Sequence, residues 1–137
     1  MTMVWCLAAA LGLAASVTDL RRRTIPNWLT GAGALAGIVF AASRGWHSLG
    51  MAMAGAAVGF LLMLPLHLCG AMGGGDVKLM AAFGTLLGPA GILVAAVFGF
   101  IAGAIWAFGA WLRGVRTIPY APAIATGVWI SLVGGGL

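Results

Sequence analysis

The chain has 137 residues; 63% are apolar before its 23 glycines are counted, and 7% are charged. Seven Lys/Arg stand against two acids, Asp19 and Asp76, for a net charge of +5. A soluble domain carries about 25% charged residues, so soluble globular folds are excluded, and so is disorder, which requires few apolar residues and many charges. What remains is a chain whose solvent is mostly lipid.

A membrane-crossing helix takes roughly 20 apolar residues, about 17 at the short end. The length therefore accommodates six helices and short loops, with no folded soluble domain among these residues. The expected fold is a single all-α, polytopic integral-membrane domain over residues 1–137. The first apolar run, 1–18, is closed by Asp19 and Arg21-Arg22-Arg23. The second, 27–43, ends at Arg44-Gly45-Trp46-His47, and the third, 49–69, leads into Gly73-Gly74-Gly75-Asp76-Val77-Lys78. The fourth, 79–87, stops at Gly88-Pro89; counted from Asp76 it has only 12 residues, about 18 Å of helix. The fifth, 90–112, is closed by Arg113 to Arg116, and the sixth, 118–133, by Gly134 to Gly136.

Six alternating crossings divide the loops into two sets. Arg21, Arg22, Arg23, Lys78, Arg113 and Arg116 share one side, and Arg44 alone lies on the other. Positive charge collects on the cytoplasmic side, which predicts both termini outside. The first run has its positive charges after it and none before, so a cleaved signal peptide is not expected. Trp5, Trp46 and Trp129 then fall near the outer interface, and Trp28 and Trp111 near the inner one, as an aromatic belt requires. Trp106 does not fit that belt and is expected between helices. Glycine pairs four apart (33/37, 55/59, 84/88, 99/103) predict close helix packing.

The same topology separates Cys6 from Cys69 and His47 from His67, so neither a disulfide nor one metal site joins them. No CxxC or HExxH spacing occurs, and no metal or cofactor is expected. His47-Ser48 and His67/Cys69 lie too close along a helix to face each other as nucleophile and base.

An ionisable group at bilayer depth costs several kcal/mol and marks a function. Asp19 closes the first run and Asp76 opens the fourth, and the topology brings both to the cytoplasmic face. Two carboxyls in close approach do not both ionise readily, so one serves as acid and the other as base. Such a pair hydrolyses a peptide bond with no metal and no nucleophile. The residues alone also allow a small proton-coupled transporter or channel subunit, or plain anchoring. In the anchoring case Asp19 pairs with Arg21 to Arg23, and Asp76 serves as a first-turn residue beside Lys78. Cations at Arg21 to Arg23 close to Asp19 would make it the base of a pair. Gly73 to Gly75 allow a sharp turn and close approach of an extended peptide. Lys78 is expected to reach for headgroups. The tetrads 23–26 and 116–119 both read Arg-Thr-Ile-Pro, two helices starting alike.

Residues 19–27, Asp-Leu-Arg-Arg-Arg-Thr-Ile-Pro-Asn, resemble the first aspartate segment of the type IV prepilin peptidases. Residues 72–79, Met-Gly-Gly-Gly-Asp-Val-Lys-Leu, resemble their second, a Gly-x-Gly-Asp motif shared with presenilin-like intramembrane aspartic proteases. Residues 118–122 with Gly127 resemble a third stretch at the start of the last helix. The resemblance covers essentially the whole chain. It implies an aspartic endopeptidase of the bacterial inner membrane, with Asp19 and Asp76 as the catalytic pair and Gly73 and Gly75 shaping the site. It implies a partner too: a prepilin or pseudopilin inserted in the bilayer, whose short basic leader is removed ahead of its apolar helix. No nucleic acid is involved. Larger relatives carry CxxC pairs associated with N-methylation; their absence resembles the minimal peptidase-only form of tight-adherence (Flp) pilus systems, without methyltransferase activity.

Overall fold

The computed structural model describes residues 2–116 and 118–135. Met1, Thr117 and Gly136, which belong to stretches read from the sequence, lie outside the described residues. The elements in order are α1 (Thr2–Arg22), α2 (Asn27–Ser43), α3 (Trp46–Leu68), α4 (Gly74–Leu112) and α5 (Ala121–Gly135). No strand occurs among the described residues. The helices α1, α3 and α4 are long and apolar enough to cross a membrane, and α2 and α5 are shorter apolar helices.

The helix α4 is not straight. It contains Gly88 at φ 72°, ψ 178°, followed by Pro89, which lacks the N–H that a helix interior requires. A Cβ placed on Gly59 would meet the Met80 carbonyl and, 3.3 Å away, the Ile92 side chain. A straight helix would hold Met80 and Ile92 about 18 Å apart. The chain therefore doubles back at Gly88, where the sequence places its stop. The result is two antiparallel arms, 74–87 and 89–112, and six helical stretches in all.

Boundaries shift for local reasons. The helix α1 runs on to Arg22, past the first charged residues, and α3 starts at Trp46 immediately after Gly45 (φ 112°). The last helix starts at Ala121, three residues later than its apolar run. Ile118 precedes a proline, which disfavours helical backbone there. The repeated Arg-Thr-Ile-Pro tetrad does not begin two helices alike: Pro26 caps α2, whereas Pro119 stands two residues outside α5.

The arm 74–87 is the axis of the bundle. Val77, Leu79, Met80, Ala82, Phe83, Gly84 and Thr85 are all buried, so this short arm is sheathed by the other helices. Leu13, Leu35, Leu61, Val97, Ile101 and Ile105 point outward, the apolar exterior expected of a chain dissolved in lipid. Trp106 joins them at 46% exposure rather than packing between helices. Its ring lines a shallow groove with Arg113 and Pro119, because the inward positions of that arm are taken by Gly99 and Gly103.

Helices hold together in lipid through close van der Waals packing, with no hydrophobic driving force between them. The glycine pairs supply that packing. Any side chain on Gly55 would strike the backbone of Gly84 and Gly88, and one on Gly127 would strike Ala95 and Gly99. Polar side chains add specific ties: Ser131 donates to the Gly91 carbonyl (2.8 Å), linking α5 to the second arm just beyond the break. Lys78 donates to Asn27 Oδ1 (2.9 Å), joining the starts of α4 and α2. Cys6 and Cys69 are both free.

Gly84→Val drives its new side chain into the Gly55 and Ala56 backbone, which costs at least about 1–3 kcal/mol in a packed core, and lowers the melting temperature in detergent. Gly50→Ala, with nothing near its added Cβ, melts at or above the parent because alanine is the better helix former.

Candidate active site

The buried residues of α1 are Ala8, Leu11, Gly12, Ala15 and Asp19. Their spacing of three and four is a single helical stripe, and Asp19 is its last member. The inward face of α1 thus ends in a carboxylate. Asp76 stands in the first turn of α4, its N–H bonded to the Gly73 carbonyl (3.2 Å), and continues directly into the buried axis. Each aspartate is 8% exposed.

The two acids share their surroundings. A cavity of about 500 Å³ is walled by Asp19, Arg23, Gly73 and Asp76, with 70–72 on one flank and Arg116 and 118–120 on the other. A second cavity, of about 230 Å³, is walled by the same four residues together with Thr24, Ile25, Asn27, Gly74 and Gly75. Asp19, Arg23, Gly73 and Asp76 are the waist between the two spaces. An apolar cavity of about 220 Å³, between α3, the second arm of α4 and α5, adjoins the larger one through Ala71, Met72 and Tyr120.

Asp19 is also held by α5. The Ala121 N–H donates to Asp19 Oδ2 (3.1 Å), across 102 positions of sequence. Amides in the first turn of a helix have no partner of their own, so the carboxylate satisfies Ala121 while being fixed by it. The loop before α4 is steadied by His67, whose Nδ1–H donates to the Met72 carbonyl (3.0 Å).

The glycine run works differently from the sequence reading. The chain turns at Gly70 (φ 76°), not at Gly73 to Gly75. Gly73 is extended (φ −73°, ψ 154°), and Gly74 and Gly75 already belong to α4. A Cβ on Gly73 would lie 3.7 Å from Asp76 Oδ2, and one on Gly75 would lie 3.1 Å from Ile25 Cβ. Gly73 therefore leaves the Asp76 carboxyl uncovered, and Gly75 lets the loop after α1 close on α4. Both glycines line the smaller cavity, and Gly73 lines the larger one as well.

The sequence places Arg21 to Arg23 near Asp19 only as a group, and Tyr120 and Ala121 only within the stretch 118–122; it does not single out Arg23, Tyr120 or Ala121 as members of the site, and it misses Arg116. A backbone N–H leaves no mark in a sequence, which hides Ala121. Arg23 stands in a run of three arginines, and only the structure singles it out: its backbone is left-handed (φ 52°), a conformation that costs an L-residue roughly 1–2 kcal/mol, whereas the positive-φ residues after α2, α3 and α4 are glycines. Among the described residues, no group of three or more His, Cys, Asp or Glu is arranged to hold a metal ion.

Fold and site together define an apolar, all-helical protein with a pair of buried aspartates at the waist of a cavity near one end of its helices. The sequence profile of the type IV leader peptidase family matches residues 6–108, and the chain belongs to that family. It is 32% identical over 151 aligned residues to the prepilin leader peptidase/N-methyltransferase of Aeromonas salmonicida, an alignment covering 98% of this chain and 52% of that protein. It is 33% identical to the protein of that name from Aeromonas hydrophila (97% and 48% covered) and 31% identical to that from Bacillus subtilis (88% and 51%). The chain thus spans about half the length of the curated relatives it matches. No solved structure matches it.

Gly75→Val pushes Ile25 away and lowers the melting temperature in detergent, whereas Gly73→Ala, at ordinary contact distance and an ordinary backbone angle, leaves it unchanged.

Proposed function

We propose that the chain is a membrane-embedded aspartic endopeptidase of the bacterial inner membrane that removes the short basic leader of Flp-like prepilins and pseudopilins. The observation that carries the reading is the convergence of Asp19 and Asp76, from helices far apart in sequence, on one shared cavity. They are the only acidic side chains in the 137 residues. Membership of the leader peptidase family supports the same reaction.

The six helical stretches are read as six crossings, with both termini outside and the site toward the cytoplasm. Supporting this, Arg23, Gly70 and Arg116, from three different loops, meet at the cavity of the two acids. Arg44, His47 and Gly88 line a separate cavity at the other ends of these helices. The strongly basic loops therefore gather at the aspartate end, as the positive-inside rule requires.

Peptide hydrolysis by this pair needs one ionised and one protonated carboxyl. A water between them gives a proton to the carboxylate as its oxygen adds to the scissile carbonyl carbon, and the protonated partner gives its proton to the carbonyl oxygen. The tetrahedral adduct then collapses: the leaving nitrogen takes the proton now held by the pair as the C–N bond breaks, one hydroxyl of the adduct returns its proton to the other carboxylate as the carbonyl re-forms, and a carboxylic acid, an amine and the singly protonated pair result. Water is consumed, and no metal or nucleophile takes part. Leader removal alone is proposed, without methyl transfer, since the residues at hand contain no CxxC.

In detergent, with no membrane gradient, the protein cleaves a synthetic peptide that joins a basic, glycine-ended leader to an apolar helix. Asp19→Asn and Asp76→Asn each lower the rate by at least about 100-fold, the usual share of general acid–base catalysis, while remaining in the membrane fraction. Near-parental cleavage by either variant contradicts the reading. The parent's rate is bell-shaped in pH, because both the singly protonated pair and its two neighbouring states are reached by titration; a flat profile contradicts the shared-proton mechanism.

A further inference from the structure

The helices α2, α3 and α4 each leave their last turn through a glycine with positive φ, one residue past the capping residue: Gly45, Gly70 and Gly114. Glycine is favoured there because the left-handed backbone brings a Cβ into collision with the chain. The helix α1 also leaves through a residue with positive φ, but directly after its last helical residue: Arg23 at φ 52° follows Arg22, with its N–H bonded to the Asp19 carbonyl at 2.8 Å, and it is an arginine where the other exits have glycine. It is the single non-glycine with positive φ among the described residues. This exit is also the one at the aspartate pair. Arg23 is one of the four residues that wall both cavities, whereas Arg21 and Arg22 wall neither. Positive charge at the membrane face is already supplied by those two neighbours, so topology does not account for a strained arginine at position 23.

A guanidinium carries five N–H donors, accepts nothing and stays charged. It therefore adds neither an acid nor a base to the pair. What it offers is a fork of donors for oxygen atoms. The rest of the waist is Gly73, which has no side chain, and the two carboxyls. Beyond the waist, the larger cavity presents mostly apolar Ala71, Met72, Ile118 and Pro119 with Arg116 and Tyr120, and the smaller presents Thr24 and Asn27, whose Oδ1 already accepts from Lys78. A peptide running from one cavity to the other crosses the pair with its carbonyl oxygens in need of donors.

We propose that Arg23 is a substrate-contacting residue: its guanidinium donates to a backbone carbonyl of the extended substrate beside the scissile bond and so holds the peptide across the Asp19–Asp76 waist. This rests on the leader peptidase reading. Local backbone rules are broken where function requires it, and here the left-handed exit turns the chain so that residue 23 borders the cavities.

The test compares Arg23→Gly, Arg23→Met and Arg23→Lys with the parent and with Asp19→Asn, on the synthetic leader–helix peptide in detergent, with melting temperature measured for each. Arg23→Gly melts at or above the parent, since glycine suits the left-handed position. Its kcat/KM nevertheless falls by about tenfold or more, the size expected for a lost charged hydrogen bond, and the loss is carried mainly by KM. Arg23→Met falls as far, and Arg23→Lys recovers part of the loss. If Arg23→Gly or Arg23→Met stays within about twofold of the parent while Asp19→Asn is inactive, the role of Arg23 is overturned and the peptidase reading stands. An Arg23→Gly that melts well below the parent also overturns it, because the side chain would then serve the fold. Cleavage by Asp19→Asn at the parental rate overturns the peptidase reading, and this inference with it.

Discussion

An ionised carboxylate withdrawn from water costs several kcal/mol unless something compensates for it, and this chain withdraws both of its acids, the only two it has. Each is buried to the same degree, and each borders the same two cavities. Two carboxyls that share a proton carry one negative charge between them instead of two. Asp19 gains a backbone donor from Ala121 as well. The rest of the architecture follows from that arrangement: α1 must present its inward stripe as far as residue 19, α4 must begin at the same level, and α5 must start where its first amide meets the carboxylate.

Glycine makes the arrangement possible at this chain length. The arm that carries Asp76 is too short and too buried to be a peripheral helix. Close contact between Gly55 and Gly84, and between Gly59 and Met80, lets α3 lie almost backbone to backbone against it. The reversal at Gly88 then brings the second arm down beside the first, closing the apolar cavity that adjoins the site. Packing this close leaves little tolerance: the same contacts that fix the depth of Asp76 are the ones a single added methyl group would break.

Much of this was legible in the sequence. The scarcity of charge identified both acids, the charged punctuation located the ends of the helices, and Gly88-Pro89 marked the reversal although no charge interrupts the apolar run there. Four features were hidden, each for a physical reason. The turn before α4 falls at Gly70, three residues ahead of the glycine run 73–75, and nothing in the sequence tells which of these glycines takes positive φ. Trp106 faces outward because the neighbouring glycines occupy the inward face, which depends on the rotation of the arm. Ala121 acts through its backbone. Arg23 looked like one more basic residue in an arginine run, and only its backbone angle separates it from Arg21 and Arg22.

The central claim is that Asp19 and Asp76 act as one unit, and a double-mutant cycle tests it most directly. Groups that work together are not additive: once one is lost, losing the other costs little more. Residual cleavage of the leader–helix peptide is measured for Asp19→Asn, Asp76→Asn and the double variant, with the parent as reference. A shared mechanism predicts that the double variant cleaves no more slowly than the worse single one. A double variant whose loss is the product of the two single losses would show that the aspartates act independently, and would contradict the account.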